Sequence, residues 1–141
     1  EAVFVEPLAA ALQVTEAVHV SPRDRVVVIG VGKLGMMVAQ VLKLTGADVV
    51  GVVRREKQAQ LLNKWGIASC ELADLAPQSA QVVVDVTGLA QGLADALTVV
   101  ESRGTIVLKS TFNGFPQVDM TQIAVREIKG NLPCSGRRGT M

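Results

Sequence analysis

The sequence predicts an α/β fold: a doubly wound parallel sheet of six strands in a single domain. Three observations predict it. Short apolar runs rich in valine, such as "VVVIG", "DVVGVV" and "QVVVDVTG", recur along the chain. Stretches with helical spacing of apolar residues separate them. Glycine closes two of the runs, at Gly30 and Gly88. A continuous apolar run marks a strand covered on both faces. Strands alternating with helices mark a parallel sheet with helices on either side.

Residues 3–18 begin extended and turn helical, with a linker helix over about 7–18. Pro7 suits its first turn, and Leu8, Leu12 and Val18 give it an apolar side. "SPRD" at 21–24 reads as a turn. The first strand spans 26–30 and the following helix 34–45, where Lys33, Gln40 and Lys43 form one polar stripe. The second strand covers 48–53. The second helix covers 56–65, with Leu61, Leu62 and Trp65 facing inward, Lys57, Gln60 and Lys64 facing water, and Gly66 just past its end. A short third strand lies near Ala68–Cys70, and the fourth spans 81–88. A helix over 90–100 closes at "ESRG" before the fifth strand at 105–110. A helical turn near 120–126, after the loop with Gly114 and Pro116, leads to a sixth strand near 127–132.

Composition narrows the partners. The chain has 141 residues, enough for one domain with a real core. Hydrophobic residues make up 49% and charged residues 19%, so the chain is globular rather than disordered. A net charge of +1 gives no electrostatic case for nucleic acid or an anionic membrane. No apolar run reaches the roughly 18 residues of a membrane span, and no targeting segment is visible. Cys70 and Cys134 are the only cysteines and fit a reduced, cytoplasmic chain better than a disulfide. His19, the one histidine, lies between two valines and reads as structural. The chain starts at Glu1 inside an apolar pattern, as a piece of a longer protein would.

"GVGKLG" places glycines at 30, 32 and 35, directly after a buried strand and at the start of a helix. In that context the pattern is a dinucleotide-binding signature of the Rossmann type. Gly30 permits the tight turn, Gly32 lets backbone approach a pyrophosphate, and Gly35 lets the helix pack on the strand. The helix start, with Lys33 and Leu34, offers free N–H groups and partial positive charge to phosphates. An acid that binds the adenosine ribose belongs about 20 residues further on. This chain has Val53 there, followed by Arg54 and Arg55. An acid repels a 2′-phosphate and arginine attracts one, so NADP(H) is expected over NAD(H). The alternative is a solvated helix start.

Several segments together resemble the cofactor domain of the zinc-type medium-chain dehydrogenase/reductase family, the alcohol, polyol and threonine dehydrogenase group. They are "VFVEPLAAAL", "VVVIGVGKLGMMVAQVLKLTGADVVGV", "VVVDVTG", "RGTIVLKS" and "VDMTQIAVREIKG", in family order. The resemblance implies that residues 1–141 are the nicotinamide dinucleotide-binding domain of a two-domain enzyme. The catalytic zinc domain, which accepts a small alcohol or polyol, lies outside this chain. The chain alone is then inactive. The resemblance also implies that Glu6, in "EPLA", reaches the catalytic zinc or its water in the whole enzyme. Without the resemblance, a glutamate favoured by a helix start explains Glu6 as well. Thr87 and Gly88 would lie by the cofactor, and Ser110 and Thr111 would approach the nicotinamide side. Lys109 must turn away or meet a phosphate. The sixth strand often forms a subunit contact in this family, which leaves a homo-oligomer open. Two other readings share the glycine loop: a regulatory nucleotide-sensing module and a zinc-free reductase of the same superfamily.

Overall fold

A computed structural model describes residues 20–108 and 129–131. Glu6, the linker helix over 7–18, His19, Lys109, Ser110, Thr111, the helical turn near 120–126 and Cys134 lie outside the described residues. The described elements are β1 (Arg25–Ile29), α1 (Lys33–Lys43), β2 (Asp48–Val52), α2 (Glu56–Lys64), β3 (Ala68–Cys70), a 3₁₀ turn (Leu72–Asp74), β4 (Ala80–Asp85), α3 (Ala90–Val99), β5 (Val100–Leu108) and β6 (Lys129–Asn131). The strands form one sheet in the order β3-β2-β1-β4-β5-β6. Every neighbouring pair is parallel. The chain winds outward from β1 to β3, returns, and adds β4 on the other side of β1. A crevice opens where that order reverses, at the carboxyl ends of the strands.

Alternation along β1 explains why both faces are covered. Val26 and Val28 pack with Val38, Ala39 and Leu42 of α1 and with Leu62 of α2. Val27 and Ile29 pack with Ala96, Leu97 and Val99 of α3. Val26, Val27 and Val28 are wholly buried, which is why β1 reads as an unbroken apolar run. Among the described residues, no helix is long and apolar enough to cross a membrane.

Three boundaries differ from expectation, each for a local reason. α1 stops at Lys43 because the Thr45 hydroxyl donates to the Leu42 carbonyl at 2.6 Å and Gly46 turns with φ +87°. β4 stops at Asp85, not residue 88. The Val86 N–H still donates to the Ile29 carbonyl, but Thr87 folds back onto Asp85 and Gly88 takes φ +70°. "ESRG" lies within β5 rather than ahead of it. Ala80 pairs with Val100 and Val82 with Thr105, so residues 101–104 bulge out and Arg103 adopts φ +66°.

The inner face of α2 is narrower than expected. Leu62 is wholly buried, whereas Leu61 and Trp65 are 44% and 40% exposed. α2 lies over the β2 side of the sheet, and one stripe meets it. Leu62 fits there because Gly51 has no side chain: a Cβ on Gly51 would come 2.5 Å from Leu62 Cδ1. Leu62→Ala should therefore cost about 2–5 kcal/mol in urea unfolding. Leu61→Ala and Trp65→Ala should each cost clearly less. Equal losses at the three positions would contradict this packing.

Candidate functional site

A cleft of about 770 Å³ lies over the carboxyl ends of β1, β2 and β4, within the usual size of a ligand site. Gly30, Gly32, Lys33, Leu34, Gly35, Val53, Arg54 and Thr87 line it, as do Gln58 and Glu71; Arg55 and Gly88 do not.

The three glycines of the loop have different physical causes. Gly30 turns with φ +92°, and a Cβ there would come 2.8 Å from the Thr87 nitrogen. A Cβ on Gly35 would fall on the Gly30 carbonyl oxygen. Both are therefore required by packing of the protein on itself. At Gly32 a Cβ would meet nothing within 4 Å, and its φ of −94° suits any residue. Gly32 is the N-cap of α1, yet no side chain caps that helix and no acid stands in its first turn. Its N-terminal N–H groups and dipole are thus presented to the cleft.

On the β2 side, Val53 is buried and Arg54 exposed. Gln58, in the first turn of α2, holds this turn in place. Its Oε1 accepts from the Arg54 and Arg55 N–H groups at 3.1 and 3.3 Å. Its Nε2 donates to the Val31 carbonyl at 2.8 Å. An arginine side chain has no acceptor, so Arg55 cannot complete a reciprocal capping box. The sequence reading missed Gln58. Its one visible signal is glutamine three residues after the N-cap.

On the β4 side the structure brings in Asp85, also missed. It is 2% exposed. Its Oδ1 accepts from the Thr87 N–H at 2.9 Å and the Thr87 hydroxyl at 2.7 Å. Gly92, near the start of α3, leaves the space for it, since a Cβ on Gly92 would collide with Thr87 Oγ1 and the Asp85 carboxylate. The visible signal is an acid closing an apolar run. Burial pushes the Asp85 carboxyl above the usual range. The two Thr87 hydrogen bonds pull it down, and the Asp95 charge raises it. Among the described residues, no group of three or more His, Cys, Asp or Glu could hold a metal.

The sign of the Asp85 shift sets a pH dependence. A raised folded-state pKa means that the native protein holds this proton more tightly than the unfolded chain. The associated stability is complete below the unfolded value near about 4 and is lost as pH rises through the folded value. Asparagine keeps an acceptor for Thr87 and carries no charge. Asp85→Asn should therefore gain stability relative to wild type as pH rises from about 4 to 7. Urea midpoints of both proteins across that range check this, and a difference independent of pH would contradict it.

Comparisons with known proteins bear on the fold and the family. A family model described as zinc-binding dehydrogenase matches residues 34–138. The 2-dehydro-3-deoxy-L-galactonate 5-dehydrogenase of Pseudoalteromonas atlantica is 24% identical over 136 residues, covering 89% of this chain and 40% of that protein. A zinc-binding dehydrogenase from Sinorhizobium meliloti, solved bound to NADP, superposes with a TM-score of 0.82 at 21% identity, over 89% of this chain and 41% of that one. Acetophenone reductase from Geotrichum candidum, solved with NAD, superposes with a TM-score of 0.75 at 24% identity, over 89% of this chain and 37% of that one. At these identities the solved structures establish the fold alone. The chain spans about 40% of the curated relative's length. The family match takes in well over half of the chain, from the glycine loop's helix through the last strand, and the chain belongs to the zinc-binding dehydrogenases, as their cofactor-binding domain.

Proposed function

We propose that residues 1–141 are the nicotinamide dinucleotide domain of a zinc-dependent dehydrogenase that oxidises a small alcohol or polyol and prefers NADP(H) to NAD(H). Gly32 is the observation that carries the nucleotide site. Packing requires no side-chain-free residue there; glycine suits the N-cap, and it also lets a phosphate group approach the backbone. The start of α1 beside it offers N–H donors and positive dipole charge. The chemistry supplied at such a cleft is hydride exchange at a nicotinamide ring. This chain's own residues bind and orient: the loop and α1 take the pyrophosphate, and the β2 end takes the adenosine ribose.

The NADP(H) preference rests on Val53 and Arg54. Val53, the residue after β2, offers no carboxylate to repel a 2′-phosphate. Arg54 lines the same cleft, and Arg55 does not. Arginine presents a planar, permanently charged fork that suits phosphate oxygens. Among the described residues, no group of three or more His, Cys, Asp or Glu could hold zinc. Glu6, outside the described residues, is proposed as a carboxylate that reaches zinc held mainly by another domain.

Two measurements test these assignments. Arg54→Ala should weaken NADP(H) binding roughly ten- to a hundredfold, the loss of about 1.5–3 kcal/mol in charge-assisted hydrogen bonds. NAD(H) binding should change much less, and Arg55→Ala should have the smaller effect of the two. Equal wild-type affinity for the two cofactors would overturn the preference. In the full-length enzyme, Glu6→Gln should lower zinc content and turnover and leave the melting temperature unchanged. Unaltered zinc content and turnover would return Glu6 to a helix-start role.

A further inference from the structure

Gln58 joins two loops that the chain builds separately. Val31, between Gly30 and Gly32, belongs to the glycine loop and lies 27 residues from Gln58. Arg54 and Arg55 form the turn leaving β2. One amide serves both: its nitrogen donates to the Val31 carbonyl, and its oxygen accepts from both arginine N–H groups. Among the described residues, no other side-chain hydrogen bond joins these loops. Capping α2 alone would need only the bond to the Arg55 N–H. The bonds to Arg54 and to Val31 go beyond that need, and each holds one wall of the cleft.

We infer that Gln58 is a positioning residue for the cofactor's adenosine end. It holds the arginine turn at a set spacing from the glycine loop, so that Arg54 and the start of α1 engage the same ligand together. It acts through Arg54, with one amide hydrogen left over toward the cleft it lines. Both lone-pair positions of its oxygen are taken by the two N–H groups, and one amide hydrogen is taken by Val31. This rests on the proposed NADP(H) site.

The test uses Gln58→Met in the full-length protein, which keeps side-chain length and removes all three hydrogen bonds. NADP(H) and NAD(H) are titrated separately, with melting temperature as a control. NADP(H) affinity should fall roughly tenfold and NAD(H) affinity distinctly less, so the ratio between them falls. In an Arg54→Ala background, Gln58→Met should change that ratio no further. Gln58→Ala, at an exposed helix start, gives the same measurement if Met packs poorly. An equal loss for both cofactors would mean direct contact with the ribose they share. A lower melting temperature with unchanged affinities would mean a helix cap and nothing more. Either result overturns the positioning role while leaving the cofactor site intact. Wild type that binds neither dinucleotide overturns the cofactor site itself, and the positioning role with it.

Discussion

Three backbone segments converge where the strand order reverses: the turn after β1, the first turn of α1 and the turn after β4. The Gly30 carbonyl fills the space where Gly35 would carry a side chain, and Thr87 fills the space beside Gly30. The Val86 N–H adds a bond to the Ile29 carbonyl. Interiors are packed too densely to absorb an extra methyl group at such a crossing without backbone movement. This close approach brings α1 down onto β1 and aims its N-terminus into the cleft. The arginine turn and the Asp85–Thr87 turn are then placed on either side of it. The rest of the site inherits its geometry from that crossing.

What was legible in the sequence follows from this. A missing side chain is visible as glycine, so the loop at residues 30–35 could be read with its reasons attached. Strands buried on both faces are visible as valine runs, and every described strand overlaps an expected one, although β5 begins at Val100, ahead of the expected 105. Burial at the margin of the sheet is not visible in the same way. Leu61 and Trp65 share helical spacing with Leu62, yet the β2 side offers one notch, at Gly51, and only Leu62 fills it. The "ESRG" segment carries the composition of a turn, and its place inside β5 depends on register with β4.

Polar ties were the least legible part. Gln58 and Asp85 have near partners in the chain, Arg54, Arg55 and Thr87, but the bond to Val31 and the burial of Asp85 are set by the tertiary fold. Asp85 is bonded two residues away, to Thr87, but its burial beneath Gly92 comes from the docking of α3. Gln58 reaches across 27 residues. A buried polar group must be hydrogen-bonded or it destabilises the fold. Gln58 thereby ties two loops together, while Asp85 fixes the turn after β4.

Charge is divided unevenly across the cleft. The start of α1, Lys33 and Arg54 bring positive charge to the cleft, Glu71 adds an acid beyond β3, and Asp95 and the buried Asp85 lie toward α3. The overall charge of +1 conceals this division. An anionic ligand is drawn to the α1 side, where Gly32 leaves the backbone bare. The glycines of the loop differ in what holds them. Gly30 and Gly35 would be needed in a protein that bound nothing, because their neighbours leave no room. Gly32 has room for a side chain and a negative φ. Glycine suits the N-cap of α1 in its own right, and the same bare backbone leaves room for the phosphate proposed there.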